Sequence, residues 1–80
     1  MIKLNVKQIA DNLANNVNSK AIYNETYNCY TIGNISEEVI LNEGFIYQGL
    51  EDYHKKPLYI YENLLGVFDD NLFKLCEFFG

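Results

Sequence analysis

Apolar residues in the first part of this chain keep a helical period and then stop. Val6, Ile9, Ala10, Leu13, Ala14 and Val17 recur at three- and four-residue intervals and form one stripe, the mark of an amphipathic helix. Asn5 is placed to cap that helix, Gln8 to reach back as its capping-box partner, and Leu4 and Ile9 to staple its entry. Asn15, Asn16 and Asn18 lower helix propensity and end it near residue 18. From Ala21 onward Tyr, Thr and Ile come in loose alternation, the period of a half-buried strand. A chain that changes period in this way belongs to the α+β class.

Strands are expected at Ala21–Asn24 and Tyr27–Ile32, either as one bent strand or as a hairpin about Asn24-Glu25-Thr26. Gly33-Asn34 marks a turn. Two readings fit residues 35–44. With Ser36 as cap, Ile35 and Ile40 as staple and Gly44 as stop, they make a short helix. Alternatively, Val39-Ile40-Leu41 and Phe45-Ile46-Tyr47 are strands joined at Asn42-Glu43-Gly44. The β-branched and aromatic residues on both sides of that turn favour the hairpin. Phe45–Leu50 and Leu58–Glu62 are strand-like, and Pro57 sits where a strand begins and its missing N–H does least harm. A closing helix is expected from Asp69 or Asp70, with Phe68 and Phe73 as staple and Leu72, Leu75, Cys76 and Phe79 as core stripe. The expected architecture is a single domain over residues 1–80. It is a small antiparallel four- or five-stranded meander, with an N-terminal and a C-terminal helix packed on one face.

Charge narrows the range of partners. The 80 residues carry six lysines, no arginine and eleven acids, for a net charge of −5. Arginine is the usual bidentate reader of phosphate and guanine, so its absence and the negative field argue against direct nucleic-acid binding. Lys3, Lys7 and Lys20 outnumber Asp11 and Glu25 by one in residues 1–35. In residues 36–80, nine acids against Lys55, Lys56 and Lys74 leave −6. No apolar run approaches membrane-spanning length, and the first residues lack the apolar core of a signal peptide, so a cytosolic setting is expected. In that setting Cys29 and Cys76 are expected as reduced, buried thiols, with a single bridge between them as the alternative.

Catalytic chemistry finds little to use. His54 is the one histidine, and an Asp52–His54 dyad would have no serine or cysteine nucleophile near it in sequence. A turn histidine is the simpler reading. No ligand set has zinc spacing, Gly44, Gly49 and Gly66 are too dispersed to cradle a phosphate, and no cofactor is implied. The acidic doublets Glu37-Glu38, Glu51-Asp52 and Asp69-Asp70 fall at element boundaries, where acids act as caps and turn formers.

The aromatic load is the informative feature, with seven tyrosines and five phenylalanines. Alternation sets Tyr59 and Tyr61 opposite Leu58 and Ile60, and Tyr47 opposite Ile46. If the helices cover the aliphatic face, the phenolic rings stay partly exposed on the other, rimmed by Glu38, Glu51, Asp52 and Glu62. Tyrosine supplies rigid contact area with a polar tip and is enriched at interfaces. The plainer reading is that these rings cover a thin core. Phe78 and Phe79 come after a full stripe on the expected C-terminal helix, which offers a homodimer contact.

Residues 5–13 are similar to the first helix of helix-turn-helix regulators, over nine residues only. Beyond them stand an Asn-rich stretch and a tyrosine strand instead of a basic recognition helix. The expectation that results is a non-enzymatic acidic binding protein, of the kind that phages and mobile elements use as inhibitors. It would dock Tyr47, Tyr59, Tyr61, Glu51, Asp52 and Glu62 on a positively charged, nucleic-acid-binding site of a larger host protein such as a nuclease or defence complex, in the host cell cytosol. The alternative is a small transcriptional regulator or antitoxin-like protein that uses the N-terminal helix.

Overall fold

The apolar stripe winds into α1 (Val6–Asn16), capped by Asn5, whose side-chain oxygen accepts the backbone N–H groups of Lys7 and Gln8 at 3.0 and 3.4 Å. Ile9, Ala10, Leu13 and Ala14 are its buried residues. The staple residue Leu4 lies outside the span of residues 5–77 that this computed structural model describes. Past α1 come β1 (Ala21–Asn24), β2 (Cys29–Ile32), α2 (Glu37–Glu43), β3 (Ile46–Leu50), β4 (Pro57–Tyr61), β5 (Leu64–Asp69) and β6 (Leu72–Glu77). The six strands form one sheet in the order β1-β2-β6-β5-β4-β3, and every neighbouring pair is antiparallel. The chain thus makes the β1–β2 hairpin, crosses by α2, and returns as a four-stranded meander whose last strand docks on β2.

Besides adding β5, a strand that the sequence reading does not assign, this corrects the expected architecture at two places. A four- or five-stranded meander flanked by an N-terminal and a C-terminal helix does not form. The second helix is internal, and the segment expected as a closing helix is β6 with the end of β5. Leu72, Leu75 and Cys76 fit a helical spacing, but Phe73 and Leu75 fit a strand equally well. What decides is pairing: Phe68 and Phe73, spaced as a staple along one helix, are direct cross-strand partners either side of a two-residue turn. The suggested dimer contact on a C-terminal helix therefore has no helix to form on, and Phe78 and Phe79 lie outside the described residues. Second, residues 37–43 are helix, not the arm of a hairpin. Gly44 stops it at φ 123°, and the N–H groups of Gly44 and Phe45 return to the carbonyls of Leu41 and Ile40. So short a helix suffices here because Ile40 is driven completely into the core.

Alternation sorts the sheet into two unlike faces. Ile32, Tyr59, Leu64, Phe73 and Leu75 point to the helices and, with Ile35, Ile40, Phe45 and the buried stripe of α1, make the core. Phe73 is its centre. Its ring lies edge-on to Phe45, Tyr59 and Phe68 with centroids 5.4, 6.0 and 6.4 Å away. It also packs over Gly66, where a Cβ would come within 2.0 Å of the ring. The other face, bearing Ile22, Thr31, Ile46, Leu58, Ile60, Leu65, Val67, Leu72 and Lys74, is not covered by either helix. Cys29 and Cys76 face each other on it as cross-strand partners, joined by a disulfide with Cα atoms 4.5 Å apart. That is the separation of a non-hydrogen-bonded antiparallel pair.

Candidate functional site

The alternation expected for the tyrosines holds, but the helices cover the opposite face from the one expected. Tyr59 points into the core and keeps 1% of its surface exposed. Its hydroxyl donates to Glu37 Oε2 at 2.5 Å, and burial together with that carboxylate drives its pKa far above the ordinary tyrosine value. Tyr61 is half-buried, its ring edge-on to Phe45 at 5.2 Å and packed under Gly44. Neither ring is available as a flat contact. Tyr47 is: it stands on the outer strand, 49% exposed, with its centroid 5.5 Å from Tyr59.

The carboxylates separate as well. Glu51 and Asp52 open the loop between β3 and β4, whereas Glu62 sits in the turn after β4, so the strand's full length lies between them. Glu51 is also occupied. It accepts the backbone N–H groups of Tyr53 and His54, and its own N–H bonds the carbonyl of Lys56 at 2.8 Å, closing the loop. Desolvation alone would raise its pKa, but the two N–H donors and the neighbouring imidazole outweigh it and hold the carboxyl below its ordinary value. Asp52 and Glu62 are exposed.

The dyad does not form. His54 Nδ1 lies 3.1 Å from Glu51 Oε1 rather than from Asp52, and its ring rests against the highly exposed Tyr53. Among the described residues no cluster of three or more His, Cys, Asp or Glu side chains could hold a metal ion. No described helix is long and apolar enough to cross a membrane. The helix-turn-helix likeness also fails, because α1 is followed by β1 and turns Ile9, Ala10, Leu13 and Ala14 to the core.

What the fold does assemble is the β3 edge. Among the described residues β3 pairs only with β4, so its outer row of backbone groups has no strand partner there. Ile46, Tyr47 and Leu50 are 64%, 49% and 55% exposed on it. A bulge between Tyr47 and Leu50, with Gly49 at φ 95°, breaks the regular ladder. Such an interruption guards an edge against pairing with a foreign strand while leaving its side chains available. Glu37 reaches this edge through Tyr59, which contacts both it and Tyr47. Glu38, next to it, is exposed, and Glu51 and Asp52 come directly after Leu50. Sequence reading finds Tyr47, Glu38, Glu51 and Asp52 but misses Ile46, Leu50 and Glu37. The missing signal is the helix at 37–43, whose first turn bonds Glu37 to Tyr59 behind Tyr47.

The uncovered face carries a second feature, a cavity of about 480 Å³ over the Cys29–Cys76 bridge. The bridge overturns the expectation of reduced, buried thiols, since both cysteines are oxidised and half-buried. Two apolar side chains from β5, Leu65 and Val67, floor the cavity, and Lys56, Lys74 and Asp69 wall it. Asp69 receives both ammonium groups, Lys56 Nζ at 3.1 Å and Lys74 Nζ at 3.8 Å. The hydrogen bond from Lys56 is the main reason that its carboxyl pKa lies below the ordinary value. Compared with known proteins, the chain matches no protein-family profile, no curated protein and no solved structure.

Proposed function

We propose that this is a non-enzymatic binding protein that docks its β3 edge and the acids beside it on a basic surface of a larger protein. The observation that carries the reading is the edge itself, with three large side chains held in solvent on an outer strand next to Glu37, Glu38, Glu51 and Asp52. Exposed apolar groups with acids beside them are the composition of a docking surface. The bulge directs recognition to side chains rather than to strand addition. A nucleic-acid-binding site on a nuclease or defence complex is the kind of basic partner that such a surface suits, and the size and acidity fit an inhibitor of phage or mobile-element type acting in the host cytosol. The surface differs from the one expected from sequence: Tyr59 and Tyr61 leave it, Glu62 stands apart, and Ile46, Leu50 and Glu37 join it.

The test is the salt and charge dependence of binding to a partner isolated on the immobilised protein. Affinity is expected to fall steeply between low and physiological salt, and Glu38→Lys with Asp52→Lys to slow association by on the order of tenfold. Both positions are exposed and free of the loop-closing duty that Glu51 performs, so the fold is retained. Affinity indifferent to salt and to both substitutions removes the reading. A shift of labelled duplex DNA at moderate salt would favour a regulator acting through α1 instead.

A further inference from the structure

We propose that the cavity on the uncovered sheet face is a thiol–disulfide exchange site, where a small anionic thiol of the glutathione class attacks the Cys29–Cys76 bridge. Three observations converge there. The bridge is not sealed in the core: it lies on the face without helices, both cysteines are half-buried, and both line the cavity. At about 480 Å³ the cavity falls in the range that encloses small organic molecules. Its lining differs in charge from the whole molecule. The protein carries −5, yet the cavity lining sets Lys56 and Lys74 against Asp69; Asp70 acts on Lys56 from outside the lining, and His54 at the rim is paired with Glu51. A thiol bearing carboxylates therefore meets two ammonium groups there, on a molecule whose net charge otherwise repels it.

The two sulfurs are not equivalent. Cys29 Sγ lies 3.1 Å from the carbonyl oxygen of Tyr27, a neighbour that disfavours negative charge on that sulfur. Cys76 shares its strand face with Lys74, two residues away. Exchange is faster when the departing sulfur is the better-stabilised thiolate. The incoming thiolate accordingly bonds to Cys29 Sγ, the S–S bond breaks, and its electron pair leaves on Cys76. A second thiolate then attacks the mixed disulfide at the sulfur of the small molecule, releasing Cys29 as thiolate. In sum, two small thiols become one small disulfide, their two electrons reduce the bridge, and their two protons end on Cys29 and Cys76. This chemistry is separate from the β3 edge and does not depend on the docking reading.

The experiment measures reduction of the folded protein by glutathione and by the cationic thiol cysteamine. Each rate is divided by the same thiol's rate on hydroxyethyl disulfide, and the adduct is trapped by acid quench and located by mass spectrometry. Glutathione is expected to be favoured by on the order of tenfold after that normalisation. Lys56→Gln with Lys74→Gln is expected to erase the preference, and the adduct to map to Cys29. Equal normalised rates in the unmodified protein overturn the proposal, and that comparison needs no variant. So does reduction that proceeds only at the rate of global unfolding. An adduct on Cys76 overturns the assignment of the leaving sulfur.

Discussion

Gly66 and Glu62 show how much a single position decides. A Cβ at Gly66 would overlap the Phe73 ring, and that ring cannot yield because Phe45, Tyr59 and Phe68 surround it. Gly66→Ala is therefore expected to destabilise by about 3 kcal/mol, the upper end for overpacking, as measured by urea unfolding. At Glu62 the strain is in the backbone. It holds φ 54° in the tight turn between β4 and β5, a region that costs most side chains about 1–2 kcal/mol. Glu62→Gly relieves that cost but loosens the unfolded chain, so a net gain of about 0.5 kcal/mol is expected. A lower Tm for this variant would show that the Glu62 side chain contributes something its exposed turn does not suggest. Sequence reveals neither position. It shows Gly66 only as a glycine outside any phosphate loop, and Glu62 only as part of an acidic rim, since neither the ring crossing nor the turn exists until strands pair.

At the scale of elements, the readings that hold are those with both a period and a stop. α1 has six periodic apolar residues and an Asn cap, and it forms within two residues of expectation. Strands β1 to β4 carry alternation and turn signals, and they form with small boundary shifts. Residues 36–43 and 69–77 depart from expectation because windows of seven to nine residues satisfy both periods. Tertiary burial then chooses, with Ile40 in the core for α2 and Phe73 and Leu75 in the core for β6. The candidate site turns on the same ambiguity. Helices on the aliphatic face would leave the tyrosines outside, whereas the true arrangement buries Tyr59 and exposes the β3 edge.

The loops respond to acid. Glu51 closes the β3–β4 loop and Asp69 ties the start of β4 to the β5–β6 turn, and both have pKa values below their ordinary 4.5 and 3.8. A lowered carboxyl pKa stabilises the fold above the unfolded-state value, and the benefit disappears as pH falls through the folded one. Tm is expected to hold level from neutral pH to about 5 and to decline below about 4.5. Asp69→Asn should lower the neutral-pH Tm modestly and flatten the acid limb. An unchanged acid limb in that variant would show that the two lysine contacts carry no linkage.

The whole molecule is two unequal parts, α1-β1-β2 and the β3–β6 meander, whose sheet contact is the single β2–β6 ladder. The disulfide crosses that ladder and spans 47 residues of sequence, which by loop-closure entropy is worth about 4 kcal/mol. Replacing both cysteines by serine is expected to lower Tm by roughly 20 °C; a change of a few degrees would mean that the ladder and core join the parts without covalent help. The exposed surface divides in a similar way. The β3 edge is acidic and apolar and is proposed for a protein partner, while β2 and β6 hold the bridge in a cavity lined by two lysines.

Hydrogen exchange of the protein alone and in complex with its isolated partner tests the docking surface most directly. Slowed exchange is expected over residues 46–52 and the first turn of α2, with the β1–β2 hairpin and β6 unchanged. Protection centred on β1, α1 or the cavity, with residues 46–52 exchanging as freely as before, would contradict it.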